Sequence, residues 1–271
     1  MPKTARIQLT LHVDDIQMPD FDALLLVSFG GPEGPADVIP FLENVLRGKN
    51  VPRQRMLEVA EHYQQFGGVS PINKQNRALL NAIQEELASH DIPLPVYWGN
   101  RNWHPFIPET LQELKRDGHR NILTFMTSAY SSYSGCRQYR EDLDRAQKDL
   151  GDVTLKFNKL RVFYNHPGFI ESFADHLSKS LAQFDTPESV RVLFTAHSIP
   201  IAMATHCQYE SQLQEACRLV CQTLDHSSFE LVYQSRSGPP NQPWLEPDIC
   251  DRIRELKSET DLTSVIIAPI G

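Results

Sequence analysis

Short runs rich in aliphatic and β-branched residues alternate with longer segments of helical periodicity along most of this 271-residue chain. The helical pattern is clear in Lys74–Leu87, where Ala78, Leu79, Ala82 and Ile83 share one face. Alternating strands and helices predict an α/β fold with parallel sheets and helices on both faces. The predicted strands are Ala23–Ser28, Pro95–Trp98, Ile122–Thr127, Val153–Leu160, Ser189–Thr195, Glu230–Gln234 and Ser264–Pro269.

A weak internal repeat indicates two similar halves. Each unit has a strand with a Val-Tyr pair, a loop with an arginine and a Pro-aromatic pair, a helix ending in Leu-Lys, and a second strand. One unit runs from Val96 to Thr127 and the other from Val232 to Pro269. Although any two units of this type share some features, the common order favours two halves with a ligand cleft between them. The turn at Asn165–Gly168 predicts an N-terminal arm at 1–20, a first domain at 21–165 and a second at 166–271.

Composition excludes several classes of protein. The net charge of −8 provides no basic surface for nucleic acid. Five cysteines without a C-x-x-C pair are more typical of free thiols in a reducing compartment than of disulfides. No apolar run is long enough for a transmembrane segment, and the first twenty residues lack the apolar core of a signal peptide. We therefore expect a cytoplasmic protein, and the sequence leaves the oligomeric state open.

One histidine stands at the end of a buried strand. The run Val192–Ala196 is apolar except for Thr195, and it leads directly to His197, followed by Ser198, Ile199 and Pro200. Ligands of open α/β sheets bind outside the carboxyl ends of the strands, so His197 lies where chemistry is expected. The alternative is a strand-end histidine that only hydrogen-bonds the following loop.

The loop after the first strand is rich in glycine but is a poor phosphate site. Pro32 has no N–H to donate, and Glu33 would repel a phosphate. The glycines therefore indicate either close approach to a flat ligand or a simple turn. Aromatic and basic residues in the loops at strand ends suit a broad planar ligand with carboxylates at its rim. Arg47 is one candidate rim charge, although a solvated helix end explains it equally well. Cys217 and Cys221 share a helical face and are interpreted as core residues.

Several motifs together resemble the ferrochelatase family, in the family's order, from about Phe21 to Gly271. The segment Phe194–Pro200 is similar to its F-S-A-H-S-[LI]-P signature, with Thr195 in place of serine. Tyr63 and Gly67–Ile72 resemble its Y-x-x-x-G-G-x-S-P-[IL] loop. Gln234-Ser235, Gly238-Pro239 and Pro243–Pro247 resemble a third motif, with Tyr233 in place of tryptophan. The segments Ser28–Pro35 and Thr127–Tyr139 are most similar to the actinobacterial coproporphyrin ferrochelatases.

The resemblance implies two Rossmann-like halves of the class II chelatase fold and an enzyme, a lyase of haem biosynthesis that inserts Fe²⁺ into a porphyrin. It implies that His197 is the metal ligand and proton acceptor. Ser70 and Tyr139 match positions that hold the porphyrin or its carboxylates. Phe29 matches a residue beside the metal face, where a tyrosine in some relatives can ligate iron and phenylalanine cannot. Arg47, Tyr63, Arg101 and Trp244 match positions that shape the cleft and supply rim charge.

Two family features lie outside the sequence. The chain ends at Gly271, before the family's D-H-x-E loop, whose glutamate is the second metal-site residue. We therefore expect a truncated second half and little or no activity for this chain alone. In several relatives a cysteine at the position of Cys136 joins C-terminal cysteines in a [2Fe–2S] cluster, but those partners would lie beyond Gly271, so this chain supports only a free or buried thiol.

Three alternatives remain at this stage. A non-catalytic porphyrin- or haem-binding protein is consistent with the missing glutamate. A cobalt chelatase would share the fold, although such enzymes lack the Gly-Gly-x-Ser-Pro loop. A nucleotide-binding α/β protein is disfavoured by Pro32 and Glu33. Among porphyrins, branch resemblance favours coproporphyrin III over protoporphyrin IX.

Overall fold

A computed structural model describes residues 20–151, 154–238, 241–259 and 264–271, except the side chains of Ser134, Cys136 and Glu259. Four strands form the first sheet: β1 (Ala23–Ser28), β2 (Val96–Asn100), β3 (Asn121–Met126) and β4 (Lys156–Lys159). Their order is β2-β1-β3-β4, and every pair is parallel. All six residues of β1 are buried, as expected for a central strand covered on both faces.

The second sheet repeats the connections of the first. Its strands are β5 (Arg191–His197), β6 (Phe229–Gln234) and β7 (Val265–Pro269), in the order β6-β5-β7 and again all parallel. In each sheet the first strand in sequence lies at the centre, with the next two strands on either side of it. The carboxyl ends of β1 and β5 are therefore the central positions of their sheets, where a ligand site is expected.

Helices connect and cover the strands. They are α1 (Val38–Leu46), α2 (Arg53–Gln65), α3 (Ile72–Ser89), α4 (Ile107–Arg116), α5 (Gln138–Lys148), α6 (Pro167–Leu181), α7 (Ile201–Ala204), α8 (Tyr209–Thr223) and α9 (Ile249–Glu259). One π-helical turn, Tyr133–Arg137, precedes α5, and two short 3₁₀ turns lie at Pro35–Asp37 and Pro187–Ser189.

The two faces of β5 pack against different helices. Val192, Phe194 and Ala196 belong to a core that includes the apolar faces of α6 and α8. Leu193 points to the opposite face and packs in a smaller core with Leu256 of α9. Burying an aliphatic or aromatic side chain contributes about 1.5–3 kcal/mol, so these alternating residues hold the strand between its helices. The prediction of an α/β fold with parallel sheets flanked by helices is confirmed.

Some predicted strand ends were wrong. The strand predicted from Val153 begins at Lys156, because only four residues pair with β3 at the sheet edge, and Val153 itself lies outside the described residues. The strand predicted to end at Thr195 continues to His197, because β6 supplies hydrogen-bond partners as far as Gln234. The predicted arm at 1–20 lies outside the described residues except for Asp20. The boundary at 165/166 stays a prediction: the two sheets lie on either side of it, whereas Tyr130 packs into the second core.

Candidate active site

His197 is the last residue of β5, and the protein holds its backbone on several sides. Its N–H donates to the carbonyl of Gly271 (3.1 Å), and its own carbonyl accepts from the hydroxyl of Tyr209 (3.1 Å). The next residue, Ser198, is held by bonds to Gln234 and Leu245. Within the described residues the imidazole ring forms no hydrogen bond, and His197 is exposed. A rigid backbone therefore presents a ring with both nitrogens available for a ligand or a proton.

An aromatic cluster follows β1 in the first half. The ring of Phe29 meets that of Phe41 edge to face at 6.2 Å, and Phe41 contacts Tyr63 (5.9 Å) and Trp103 (6.4 Å) in the same way. Phe29 is 36% exposed, so one side of this cluster is open to a ligand. Burial raises the pKa of Tyr63, which keeps its hydroxyl neutral. The cluster offers the apolar surface that a planar macrocycle requires.

The glycine loop packs against protein side chains. A Cβ at Gly31 would lie 2.6 Å from Cβ of Ser70, and a Cβ at Gly30, whose φ is +78°, would lie 2.9 Å from Cβ of Asn100. Ser70 also donates its backbone N–H to Pro32 (2.8 Å). Both glycines therefore permit close packing within the protein, and Ser70 is fixed directly beside the residues that follow Phe29.

Glu33, in the loop after β1, forms an ion pair with Arg77 of α3. Arg77 donates to its carboxylate at 2.6 Å, and this bond lowers the pKa of Glu33. The carboxylate therefore stays ionised at neutral pH, and Arg77 balances its charge.

Arg101 is buried, which corrects its predicted place at the rim. Only 9% of its side chain is exposed, because Asp142 on α5 accepts a hydrogen bond from its Nε. Its guanidinium lies 4.8 Å from the ring centre of Tyr139, which is itself 5% exposed. Burial raises the pKa of Tyr139 to about 12, against the lowering effect of Arg101. The three residues form one buried unit, and Asp142 neutralises the charge that the sequence assigned to the rim.

Arg47 lies near this unit but in solvent. It follows α1, and its Nη2 donates to Oδ1 of Asn44 at 2.5 Å. Arg47 and Arg101 line one cavity of about 450 Å³. Asn44 also bonds to the carbonyl of Asn102, and Asn102 bonds to the carbonyl of Phe29. The structure thus brings Arg47, Arg101 and Phe29 into one connected group, which Ser70, Tyr63 and Tyr139 complete.

Trp244 lies beside the turn that follows His197 in the second half. It forms a β-bridge with Pro200, in the turn that follows the histidine. Its indole is 9% exposed and packs so closely on Gly238 that a Cβ there would lie 2.4 Å from the ring. Trp244 therefore supports the turn after His197 more than it lines a surface.

Contacts of Tyr130 and Gln212 connect the two halves of the chain. Tyr130, after β3, donates its hydroxyl to the carbonyl of Ile270 (2.9 Å), and its ring packs against Tyr209. Gln212 of α8 accepts from the N–H of Ser131 (2.7 Å) and donates to its hydroxyl (3.1 Å). These contacts fix the loop of the first half beside the residues that hold His197.

Comparison with known proteins assigns the family. The ferrochelatase family model matches residues 21–271. The ferrochelatase of Rhodopirellula baltica is 56% identical over 256 residues, covering 94% of this chain and 73% of that protein. The coproporphyrin III ferrochelatase of Streptomyces coelicolor is 48% identical over 279 residues, covering 95% and 74%. The chain belongs to the ferrochelatase family.

Family membership confirms the predicted type of enzyme. Ferrochelatases are lyases that insert Fe²⁺ into a porphyrin in haem synthesis, so porphyrin and ferrous iron are the partners of this chain. Among solved structures, a sirohydrochlorin chelatase from Bacillus subtilis matches at 12% identity and a TM-score of 0.46, covering 92% of this chain and 87% of that one.

The described part of this chain contains no group of three or more histidine, cysteine or acidic side chains placed to hold a metal ion. The side chain of Cys136 lies outside the described residues. Cys217 and Cys221 are buried, and burial raises the pKa of both thiols, that of Cys221 to about 12. Both are therefore protonated core residues. No described helix is long and apolar enough to cross a membrane.

Sequence reasoning missed Asp142, Tyr209 and Gln212. Asp142 lies one helical turn after Tyr139, which is a weak signal for a shared partner. Tyr209 and Gln212 are on a helix whose contacts with β5 and the loop after β3 depend on tertiary packing, so no local pattern indicates them.

Proposed function

We propose that this chain binds coproporphyrin III between the group around Phe29 and the group around His197, and that His197 is both the Fe²⁺ ligand and the proton acceptor. Support for the histidine comes from its ring, which is exposed, unpaired within the described residues, and held at the carboxyl end of a central strand. Relatives at 47–48% identity are named coproporphyrin III ferrochelatases, which supports the choice of porphyrin.

The chemistry requires an exchange of two protons for one metal ion. Fe²⁺ binds the pyrrole nitrogens of the porphyrin, and both pyrrole N–H protons leave the ring. A neutral imidazole accepts a proton through a ring nitrogen and can release it to water, since histidine exchanges protons near neutral pH. The same nitrogen lone pair ligates divalent iron. In this proposal His197 holds Fe²⁺ until the pyrrole nitrogens bind it. The freed ring nitrogen then accepts the two pyrrole protons one at a time and releases each to water on the exposed side of the site.

The remaining predicted residues position the macrocycle. Phe29 and Tyr63 offer the aromatic surface, and Ser70 lies beside them with a hydroxyl for a carboxylate. Arg47 supplies an exposed cation. Arg101 and Tyr139 stabilise the floor of this group from within, since both are buried. Free cysteines support a reducing compartment, so we place the reaction in the cytoplasm.

Replacement of His197 tests the proposal. Absorbance spectra follow free-base coproporphyrin III on addition of Fe²⁺ under anaerobic conditions, in a protein that carries this chain together with the family's D-H-x-E loop. His197→Ala is expected to slow metallation about 100-fold or more, since a positioned proton acceptor contributes about 10²–10⁴-fold. Porphyrin affinity should change little. His90→Ala, which removes an exposed imidazole at the end of α3, is the control and should metallate at the wild-type rate.

Two results would contradict the proposal. Metallation by His197→Ala at the wild-type rate would exclude the histidine. Porphyrin binding without metallation by the unaltered protein that includes the D-H-x-E loop would favour a non-catalytic porphyrin-binding protein instead.

A further inference from the structure

A groove of about 580 Å³ lies between the segment after β3 and the region of α7. We call it the arginine groove. One wall is formed by residues that come after β3 in the chain, and the other by residues that come after β5. The groove therefore opens at the carboxyl ends of the strands, where ligands of α/β sheets bind. Its lining includes Ser131, Ser132, Arg137, Arg140, Met203 and His206.

The uncharged polar groups of this groove include two hydroxyl donors. The hydroxyl oxygen of Ser131 accepts from Gln212 (3.1 Å), and that of Ser132 accepts from the N–H of Gly135 (2.9 Å). Across the described ranges, neither hydroxyl has an acceptor for its own proton. Both protons are therefore available to a ligand that carries hydrogen-bond acceptors.

Two arginines and one histidine supply nitrogen donors to the groove. Arg137 pairs with Glu141 at 3.0 Å and stacks on Tyr133. Arg140 is exposed and has no carboxylate within ion-pair distance among the residues that the structure describes. His206 is exposed on the opposite wall. In a chain of net charge −8, such a group of donors selects an anion.

The groove adjoins the residues that hold His197. Helix α7 begins at Ile201, directly after the turn that follows His197, and Tyr209, which bonds to the carbonyl of His197, is the neighbour of the groove residue Gln208. Met203 is 39% exposed and adds an apolar surface to the same wall. The ligand that fits is an apolar molecule with carboxylates at its edge.

We propose that the arginine groove binds a carboxylate-bearing edge of the porphyrin, with Arg140 as the main cation. This inference rests on the proposed function and extends it to the recognition of substrate. Coproporphyrin III carries propionates where protoporphyrin IX carries vinyl groups. A cationic groove that donates hydrogen bonds therefore selects coproporphyrin III.

The test is an absorbance titration of the full chain with each free-base porphyrin, without metal. Arg140→Gln should weaken coproporphyrin III binding about fivefold, near the upper limit for an exposed ion pair, and protoporphyrin IX binding less. Lys148→Gln removes an equal charge from an exposed position on the same helix and should change either affinity less than twofold. Arg140→Lys should restore part of the loss. His206→Gln tests the opposite wall and should also weaken coproporphyrin III binding.

The outcomes separate this inference from the function it extends. If Arg140→Gln and His206→Gln bind coproporphyrin III as tightly as the wild type, the groove is not the carboxylate site, whereas the role of His197 stands. Equal losses for Arg140→Gln and Lys148→Gln would indicate only long-range charge and would also overturn the inference. A wild-type chain that binds neither porphyrin would overturn both proposals.

Discussion

The buried pair between Arg101 and Asp142 leads to a quantitative prediction. Their side chains are 9% and 17% exposed, so replacing Asp142 leaves a guanidinium with little access to water. Breaking a buried ion pair from one side costs about 3–5 kcal/mol. The asparagine of Asp142→Asn retains one acceptor oxygen, and the stacking of Arg101 on Tyr139 remains. We therefore expect the free energy of unfolding to fall by about 2–3 kcal/mol, below that range.

Thermal unfolding followed by circular dichroism measures this loss. For a domain of this size, 2–3 kcal/mol corresponds to a decrease in Tm of roughly 5–10 °C. Asp144→Asn is the matched control, because Asp144 is exposed on the same helix; its Tm should change by less than about 2 °C. The double replacement Arg101→Met with Asp142→Leu should recover much of the loss, since no unpaired charge remains.

A clear result would refute this reasoning. If Asp142→Asn has the stability of Asp144→Asn, the pair makes no net contribution, and Arg101 must then reach solvent or another partner. The claim that the buried unit of Arg101, Asp142 and Tyr139 stabilises the fold would then be wrong.

Two further predictions concern other parts of the fold. Arg252 and Arg191 hold Glu230, and the bond from Arg252 lowers the pKa of Glu230, so its stabilisation is present at neutral pH and lost in acid. Glu230→Gln should cost about 2 kcal/mol at pH 7, and the difference in Tm should close as the pH falls below the ordinary value of 4.5; a constant difference would contradict this. Gly31→Ala should displace Ser70, destabilise the protein by about 1–3 kcal/mol and weaken porphyrin binding, whereas Gly34→Ala, whose Cβ meets nothing within 4 Å, should do neither.

Local pattern identified the elements and the histidine at the end of a strand. Apolar runs and helical periodicity depend on neighbours within a few residues, so the alternation of strands and helices and the position of His197 at a strand end could be predicted. The repeat around β2 and β6 was also visible, because equivalent loops use the same residue types. The end of β5 was placed too early, since the partner that extends the strand to His197 is β6, more than thirty residues away along the chain.

Tertiary structure decided which charged and polar residues reach a ligand. Arg101 looked like a rim charge, but Asp142, distant in sequence, buries it against Tyr139. Arg140, in contrast, stayed exposed beside hydroxyls that need acceptors. Sequence by itself determined the α/β fold class, the family motifs and the strand-end histidine, because all three depend on residues that are close together in the chain. Which charged side chains are buried and which form ion pairs was decided by the packing of helices that are distant in sequence. The reason is that the solvation and the partners of a charged group depend on the residues that the fold places around it.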